Sequence, residues 1–285
     1  MTWWWQPYRL GGPVPWILST KQDRPRSRKK HSGAGGRAHD PSGGRRRHTH
    51  DHPAHVNCYV IEDAEGITLV DAGLPTMWPM LCQLLEDRGR RPDEVKALVL
   101  THGHFDHVGF ALRAHQEWGL PVLVHEQDTY LAAHPYRYKP ERNRFLYPFT
   151  HPRSLPLLAG MAAAGALKVK GVSTTQRLQP GTAVPVPGCP TVAHTPGHTD
   201  GHCILQLPDR GVVLSGDALV TLDPYTGKSG PQIVASAATK NTRQSLASLE
   251  AIGATGAAVL LPGHGAPWKQ GAAEAVRQAM QTGAH

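Results

Sequence analysis

Short blocks of apolar residues alternate with polar and turn residues from about residue 55 onward, and they predict a mixed α/β domain. Runs rich in apolar and β-branched residues predict strands at Val56–Ile61, Ile67–Val70, Val95–Leu100, Pro121–Val124, Gln176–Leu178, Ala183–Val186, Thr191–Ala193, His202–Leu207, Val212–Ser215 and Ala257–Leu261. Helices are predicted at Thr76–Arg88, Asp106–Trp118, Thr239–Ile252 and Lys269–Gln281. Two runs of strands, each interrupted by helices, predict two packed sheets with helices outside, in one domain of residues 55–285.

The first 54 residues follow a different pattern. Residues 1–20 form an N-terminal strand region, with Pro15–Ser19 expected to pair with the strand that begins at Val56. Residues 21–54 are rich in Gly, Ser, Arg and His and contain almost no large apolar side chain. Such a segment cannot offset its ordering entropy by burial, so we predict a disordered insert that can be deleted without loss of folding.

The net charge of +8 is concentrated in that insert. Residues 21–54 contain ten Lys and Arg residues against three Asp residues, which accounts for +7 of the total. The charge therefore says little about an active site, and a nucleic-acid partner is not expected. The chain has no apolar run of the ~20 residues that span a bilayer. It also shows no signal peptide at its start, so we expect a cytoplasmic protein with no membrane partner.

The sequence Thr101-His-Gly-His-Phe-Asp-His107 places four potential metal ligands within six residues, directly after a predicted strand. In an extended segment His102 and His104 point to the same side, and Asp106 and His107 can then face the same cavity from the start of a helix. Neutral imidazoles and carboxylates are ligands that Zn²⁺ accepts. The motif predicts a metal site.

Three further segments place ligands at the ends of predicted strands. His198 lies in a glycine-containing turn between two strands, and Asp217 ends the run Leu214-Ser-Gly-Asp217. His264 follows an apolar run and a Pro-Gly pair. Each signal is weak alone, but together with the main motif they bring seven ligands to strand ends, where a sandwich opens a groove.

The combined pattern His102-x-His104-x-Asp106-His107, His198, Asp217 and His264 resembles the full ligand set of the metallo-β-lactamase superfamily, in the same order along residues 55–285. The resemblance implies an α/β fold of the αββα four-layer sandwich type. It implies two divalent metal ions, zinc first, with iron or manganese as alternatives. One ion would be held by His102, His104 and His198 and the other by Asp106, His107 and His264, with Asp217 bridging them.

The same resemblance implies a dinuclear hydrolase. Two cations can share a water molecule and lower its pKa toward neutrality, which makes a hydroxide nucleophile. Asp106 would be the catalytic residue, binding a metal and passing a proton to the leaving group. His194 and His202 are expected to form hydrogen bonds rather than bind metal. Asp71 is expected either to support the ligand loops or to serve as a turn residue.

Within the superfamily the motifs resemble glyoxalase II and the lactonases. About twenty residues follow His264, so no glutathione-binding C-terminal domain is expected. The lactonases place a Tyr shortly after the bridging Asp, whereas this chain has Ala218-Leu-Val there and its next aromatic residue is Tyr225. We predict a hydrolase that opens an ester, thioester or lactone bond in a small molecule. The region Tyr130–Phe149 is expected to cover the metal site and to select the substrate.

Three other functions remain as alternatives. A mononuclear iron dioxygenase acting on persulfides uses a similar motif. A nucleic-acid-processing nuclease would use the basic insert, although that insert lacks the interleaved aromatic residues that stack on bases. A metal-binding protein without catalysis is the third. The sequence makes no prediction about the oligomeric state.

Overall fold

The computed structural model describes residues 16–19 and 55–285. The strands in this part of the chain are β1 (Trp16–Ser19), β2 (Tyr59–Glu62), β3 (Ile67–Val70), β4 (Val95–Val99), β5 (Val122–Val124), β6 (Gln176–Arg177), β7 (Thr191–His194), β8 (Cys203–Leu207), β9 (Val212–Gly216), β10 (Val220–Leu222), β11 (Ser229–Gln232) and β12 (Val259–Pro262). The α-helices are α1 (Met77–Asp87), α2 (Phe105–Val108), α3 (Ala111–Trp118), α4 (Thr129–Ala133), α5 (Tyr147–Thr150), α6 (Leu155–Ala163), α7 (Thr242–Gly253) and α8 (Ala272–Thr282).

The strands form two larger sheets and one hairpin. The first sheet has the order β1-β2-β3-β4-β5-β6 and is parallel except for the antiparallel pair β2–β3. The second has the order β12-β9-β8-β7, in which only β12 and β9 run parallel. β10 and β11 form a separate antiparallel pair.

Alternation along each strand divides the side chains between three layers of core, because successive side chains point to opposite faces of a sheet. Between the sheets, Ile61, Val70 and Val99 pack with Leu205 and Leu214. The outer face of the first sheet packs against the helices α1 and α3, through Val60, Leu69, Leu98, Trp78, Leu81 and Ala111. The outer face of the second sheet packs against α7 and α8, through Ile204, Val213, Leu260, Leu249 and Ala275. The predicted αββα sandwich is confirmed.

The predicted single helix Asp106–Trp118 is wrong, because the chain forms α2 and α3 with a break at Gly109. The backbone N–H of Gly109 donates to the carbonyl of Gly73 at 2.9 Å, and the N–H of Phe110 donates to the carbonyl of Ala72 at 3.0 Å. A Cβ at position 109 would lie 2.0 Å from the Gly73 carbonyl oxygen. The break therefore allows the backbone to dock onto the 71–74 loop, which also supports the ligand motif.

The second departure concerns short strands. Residues 183–186 are not a strand, and only Ala183 forms an isolated bridge, with Thr191. The hairpin β10–β11 was not predicted, since Ser229-Gly-Pro-Gln232 lacks the alternation of a strand.

The N-terminal segments differ in what the structure describes. β1 is hydrogen-bonded in parallel to β2. The predicted insert, residues 21–54, lies outside the described residues. Among the residues that are described, none of the helices combines the length and the apolar character needed to cross a membrane.

Candidate metal centre

The ends of strands from both sheets meet at one edge of the sandwich and bring seven polar side chains together. The segment that follows β4 supplies four of them, the turn between β7 and β8 supplies one, and one residue follows each of β9 and β12. All seven are buried, and they are His102, His104, Asp106, His107, His198, Asp217 and His264. These are the residues that the sequence predicted as metal ligands.

One half of the cluster consists of imidazoles alone, and we call His102, His104 and His198 the imidazole triad. One ring nitrogen from each lies within 4.8 Å of the others. The Nε2 of His198 is 2.9 Å from the Nδ1 of His104. The three nitrogen donors are thus close enough together to bind one metal ion, which in tetrahedral coordination would take a fourth ligand as well.

The other half combines a carboxylate with two imidazoles, and we call Asp106, His107 and His264 the mixed triad. Their ligand atoms also lie within 4.8 Å of one another. The Nε2 of His264 is 3.3 Å from the Oδ2 of Asp106. This half offers one oxygen and two nitrogens to a second cation.

Asp217 lies between the two triads. Its Oδ2 is 3.4 Å from the Nε2 of His198 and 3.3 Å from the Nε2 of His264, so one oxygen approaches a member of each triad. Its Oδ1 is 3.4 Å from the Nε2 of His107. Gly263 permits this approach, because a Cβ there would lie 2.1 Å from that Oδ1.

Several of the converging atoms have no hydrogen-bond partner among the described residues. The buried atoms that lack such a partner include Nε2 of His102, Nε2 of His107 and Oδ1 of Asp217. Leaving a buried polar atom unpaired costs about 1–3 kcal/mol, so three of them in one cluster point to a missing partner. A divalent metal ion is a partner that suits imidazole nitrogens and carboxylate oxygens together.

The far side of each of three imidazole rings is held by a different group. His107 Nδ1 is 2.9 Å from Asp71 Oδ2, His198 Nδ1 is 3.1 Å from Thr239 Oγ1, and His264 Nδ1 is 2.9 Å from the carbonyl of His55. Since the Thr239 hydroxyl donates to the Val234 carbonyl, its oxygen accepts from His198 Nδ1–H. In the neutral form of each ring, these contacts place the proton on Nδ1 and leave Nε2 as a lone-pair donor aimed at the cluster.

Asp71 both shapes a turn and supports the ligands. It adopts a left-handed backbone conformation, φ +61°, which is uncommon for a residue other than Gly. Its Oδ1 accepts from the backbone N–H of Thr101 at 2.8 Å, while its Oδ2 contacts His107. The carboxylate therefore ties the first residue of the ligand motif to the last.

His194 and His202 stand outside the cluster of converging atoms. Both ring nitrogens of His202 are engaged: Nδ1 with the Thr195 hydroxyl at 2.8 Å, and Nε2 as acceptor for the backbone N–H of Asp217 at 3.0 Å. His202 thus positions the central carboxylate. His194 is half-exposed, and its Nε2 is 2.8 Å from the Asp200 carbonyl.

Asp128 is a supporting residue that sequence reasoning missed. Its Oδ2 accepts from the Gly103 N–H at 2.9 Å and from the Thr199 hydroxyl at 2.7 Å, and its Oδ1 accepts from the Gly201 N–H at 2.8 Å. One buried carboxylate thereby joins the loop that carries His102 and His104 to the turn that carries His198. The sequence feature that could have identified it is its position shortly after the apolar run of β5, since Asp217 was recognised from a similar position after an apolar run.

The two triads have opposite electrostatics. Burial lowers the pKa of His104 and that of His198 to about 3. In the mixed triad burial acts in the same direction, but the carboxylates of Asp217 and Asp106 outweigh it and raise the pKa of His264 to about 10. For Asp217 burial favours the neutral acid, yet His264 and His107 hold its pKa well below the usual range. Without a cation, the imidazole triad is neutral and the mixed triad holds protons.

A cavity of about 270 Å³ opens beside the imidazole triad, and its lining includes His104 and His198. The Tyr138 ring packs on His104, with 4.0 Å between ring centroids, and the Arg144 guanidinium lies 4.2 Å from the centroid of the Tyr138 ring. Burial raises the pKa of Tyr138. The cavity therefore extends to two members of the cluster.

The region Tyr130–Phe149 divides between cavity and surface. Tyr130 and Tyr138 line the cavity. Tyr147 is buried, and its hydroxyl lies 2.8 Å from the Ser236 hydroxyl. Phe145 and Phe149 are 75% and 86% exposed, so neither lines the cavity. The part of this region that faces the cavity is therefore its first half.

Comparison with known proteins gives a consistent family. Residues 52–264 match the sequence profile described as the metallo-beta-lactamase superfamily. The chain is 28% identical over 171 residues to the probable metallo-hydrolase YflN of Bacillus subtilis, in a match that covers 59% of this chain and 62% of that protein. It is 29% identical over 221 residues to the uncharacterized protein Rv2581c of Mycobacterium tuberculosis, covering 73% of this chain and 85% of that one.

Two solved structures share the fold at 26% identity. The metallo-beta-lactamase family protein TTHA1429 from Thermus thermophilus aligns with a TM-score of 0.56, over 80% of this chain and 75% of that one. TTHA1623, solved in a di-iron-bound form, aligns with a TM-score of 0.55, over 76% of this chain and 91% of that one. These likenesses agree with the sandwich fold.

Proposed function

Because the chain belongs to the metallo-β-lactamase superfamily, we propose that it is a dinuclear metal-dependent hydrolase of the glyoxalase II-like or lactonase-like branch. Its substrate is a small-molecule ester, thioester or lactone. The observation that carries the proposal is the cluster itself, in which seven buried donor residues converge while some of their ligand atoms lack any hydrogen-bond partner among the described residues.

The proposed ligands follow the two triads. One cation would be held by His102, His104 and His198. A second would be held by Asp106, His107 and His264, and Asp217 would bind both. Bound divalent cations supply Lewis-acid polarisation of a carbonyl oxygen and a lower pKa for water. Zinc suits the mixed nitrogen and oxygen donors. Iron is the second candidate, since the similar protein TTHA1623 was solved in a di-iron-bound form.

Asp106 is the proposed proton carrier. Its side chain is 9% exposed, more than that of any other member of the cluster, so it is the carboxylate most open to a reacting molecule. A carboxylate so placed takes a proton from attacking water and returns it to the leaving oxygen or sulfur. His264, 3.3 Å away, orients that carboxylate. Tyr138, packed on His104, shields the imidazole triad and narrows the entrance.

The test is a panel of esters, thioesters, lactones and phosphodiesters, assayed with protein purified without chelator. The proposal predicts turnover of at least one of the first three classes, its loss after metal is stripped, and its return when zinc or iron is restored. Cleavage of phosphodiesters alone would favour the nuclease. Oxygen consumption with a persulfide, and no hydrolysis, would favour the dioxygenase.

A further inference from the structure

The cavity beside the imidazole triad is lined by more cations than acids, and its two acids are already engaged by other groups. Its lining includes three cations, Arg137, Lys139 and Lys240, and two acids, Asp128 and Asp200. Asp128 is buried and accepts three hydrogen bonds from the ligand loops, and Asp200 forms an ion pair with Lys240. Among the described residues, Arg137 and Lys139 have no carboxylate partner.

The position of these two cations follows from the chain between them. Tyr138 packs against His104 with its ring 4.0 Å away, which brings the backbone of this segment close to the cluster. Arg137 and Lys139 flank Tyr138 and line the same cavity. The Arg137 Nη1 donates to the Tyr130 hydroxyl at 3.4 Å, so a second cavity residue holds the guanidinium. The lining of the cavity thus combines metal ligands with cations.

We propose that the cavity selects substrates that carry an anionic group, such as a carboxylate, at the end remote from the scissile bond. Arg137 and Lys139 bind that group while the scissile carbonyl lies toward His104 and His198. This inference rests on the proposed hydrolase function. A cavity of about 270 Å³ is slightly below the usual size of small-molecule sites, about 300–1,000 Å³, which favours a short acyl chain.

Two physical consequences distinguish this role from that of ordinary solvated surface charges. A cation within a concave site attracts an anionic substrate before contact, so its removal raises KM and slows association. Because the ions act near the surface, the preference must also weaken as salt screens them, with a Debye length of about 10 Å at 0.1 M ionic strength.

The experiment compares two para-nitrophenyl esters of similar reactivity, the butyrate and the glutarate monoester, which ends in a free carboxylate. The measured quantity is the ratio of kcat/KM for the glutarate over the butyrate ester. Combined Arg137→Ala and Lys139→Ala should lower this ratio by roughly tenfold, mainly through the KM of the glutarate ester. Lys139→Arg should retain most of the preference.

The control is Lys96→Ala, which removes one positive charge near the start of β4, at the other end of the strand from the ligand motif. The control should keep the wild-type ratio, and added salt should lower that ratio in the wild type but not in the double variant. An unchanged ratio in the double variant, or equal losses for both esters, would overturn the proposal.

Binding of glutarate itself, measured by calorimetry on metal-loaded protein, separates this proposal from the hydrolase function. If glutarate binds and the double variant loses that binding, while no ester, thioester or lactone of the panel is hydrolysed, the anion site stands and the hydrolase function fails. If the esters are hydrolysed and the wild type does not bind glutarate in preference to butyramide, the anion site fails alone.

Discussion

The imidazole triad and the mixed triad are built from the same main residue type, yet they hold protons differently. In the imidazole triad, rings surrounded by other rings lose their charge on burial, with a pKa of about 3 for His104 and His198. In the mixed triad, the carboxylates of Asp106 and Asp217 raise the pKa of His264 to about 10 despite the same burial. The difference teaches that neighbouring charge, rather than burial, decides whether a buried histidine is ready to bind a metal.

This difference between the triads has a direct consequence for metal binding. A metal ion competes with protons for the ligand lone pairs. The imidazole triad carries no proton to displace near neutral pH, whereas a cation entering the mixed triad must displace the proton on His264. We therefore expect the imidazole triad to bind its metal first and the mixed triad to bind second, with an affinity that rises as the pH rises.

The largest effect is expected from Asp106→Asn. This change removes the negative charge of the mixed triad and the proposed proton carrier together, so kcat should fall by about 10²–10⁴-fold. Elemental analysis should still find metal in the imidazole triad. Asp209→Asn, an exposed carboxylate in the turn before β9, is the control and should leave both quantities unchanged. Near-normal turnover in Asp106→Asn would contradict the proposed mechanism.

The second prediction concerns pH and follows from the sign of the shifts. Lowering the pH below about 10 protonates His264, so affinity for the second cation should fall by about tenfold per pH unit for each displaced proton. The first cation should stay bound down to about pH 5, because His104 and His198 remain neutral there. Equilibrium dialysis across this range, followed by metal analysis, measures both. Parallel loss of the two ions would contradict the comparison.

The third prediction sets one supporting residue of each triad against the other. Asp71→Asn turns an amide N–H toward His107 Nδ1 and should weaken the second metal by about 10–100-fold. Thr239→Val removes a neutral acceptor from His198 Nδ1 and should weaken the first metal by less than about tenfold. Metal titration of both variants provides the measurement. Equal effects on both ions in either variant would show that the triads are not independent.

How far the sequence predicts this molecule depends on the range of each interaction. The ligand motif and the strands β3 and β4 could be predicted because their signals are local: an apolar run followed by polar residues at fixed spacing. The break between α2 and α3 is a tertiary effect, since it depends on Gly109 meeting the Gly73 carbonyl. The Gly inside the predicted helix was the local hint of it.

The supporting residues show the same division. A supporting role for Asp71 could be considered because Leu69-Val-Asp-Ala-Gly resembles a family motif, although a turn role was an equal alternative. Thr239 and the His55 carbonyl could not, because each contacts its imidazole from a segment far away in the sequence and has no distinctive local pattern. The cavity likewise combines residues from several separate segments, so its charge becomes visible only once the chain is folded.

The smallest effect is expected for Asp128→Asn. An asparagine offers one accepting oxygen where the carboxylate offers two, so one donor from Gly103 or Gly201 faces an amide N–H. The free energy of unfolding should fall by about 1–3 kcal/mol. The metal content at saturating zinc should not change. Denaturant unfolding of the metal-free protein measures the loss, with Asp209→Asn again as the control. An unchanged midpoint would mean that Asp128 does not tie the two loops together.

The most direct test of the two-triad account is calorimetric titration of metal-stripped protein with zinc at neutral pH, repeated in buffers of different ionisation enthalpy. The dependence on buffer gives the number of protons released by each ion. The account predicts two binding events, the first releasing almost no protons and the second releasing about one or two, from His264 and His107. A single equivalent of metal, or equal proton release in both events, would contradict it.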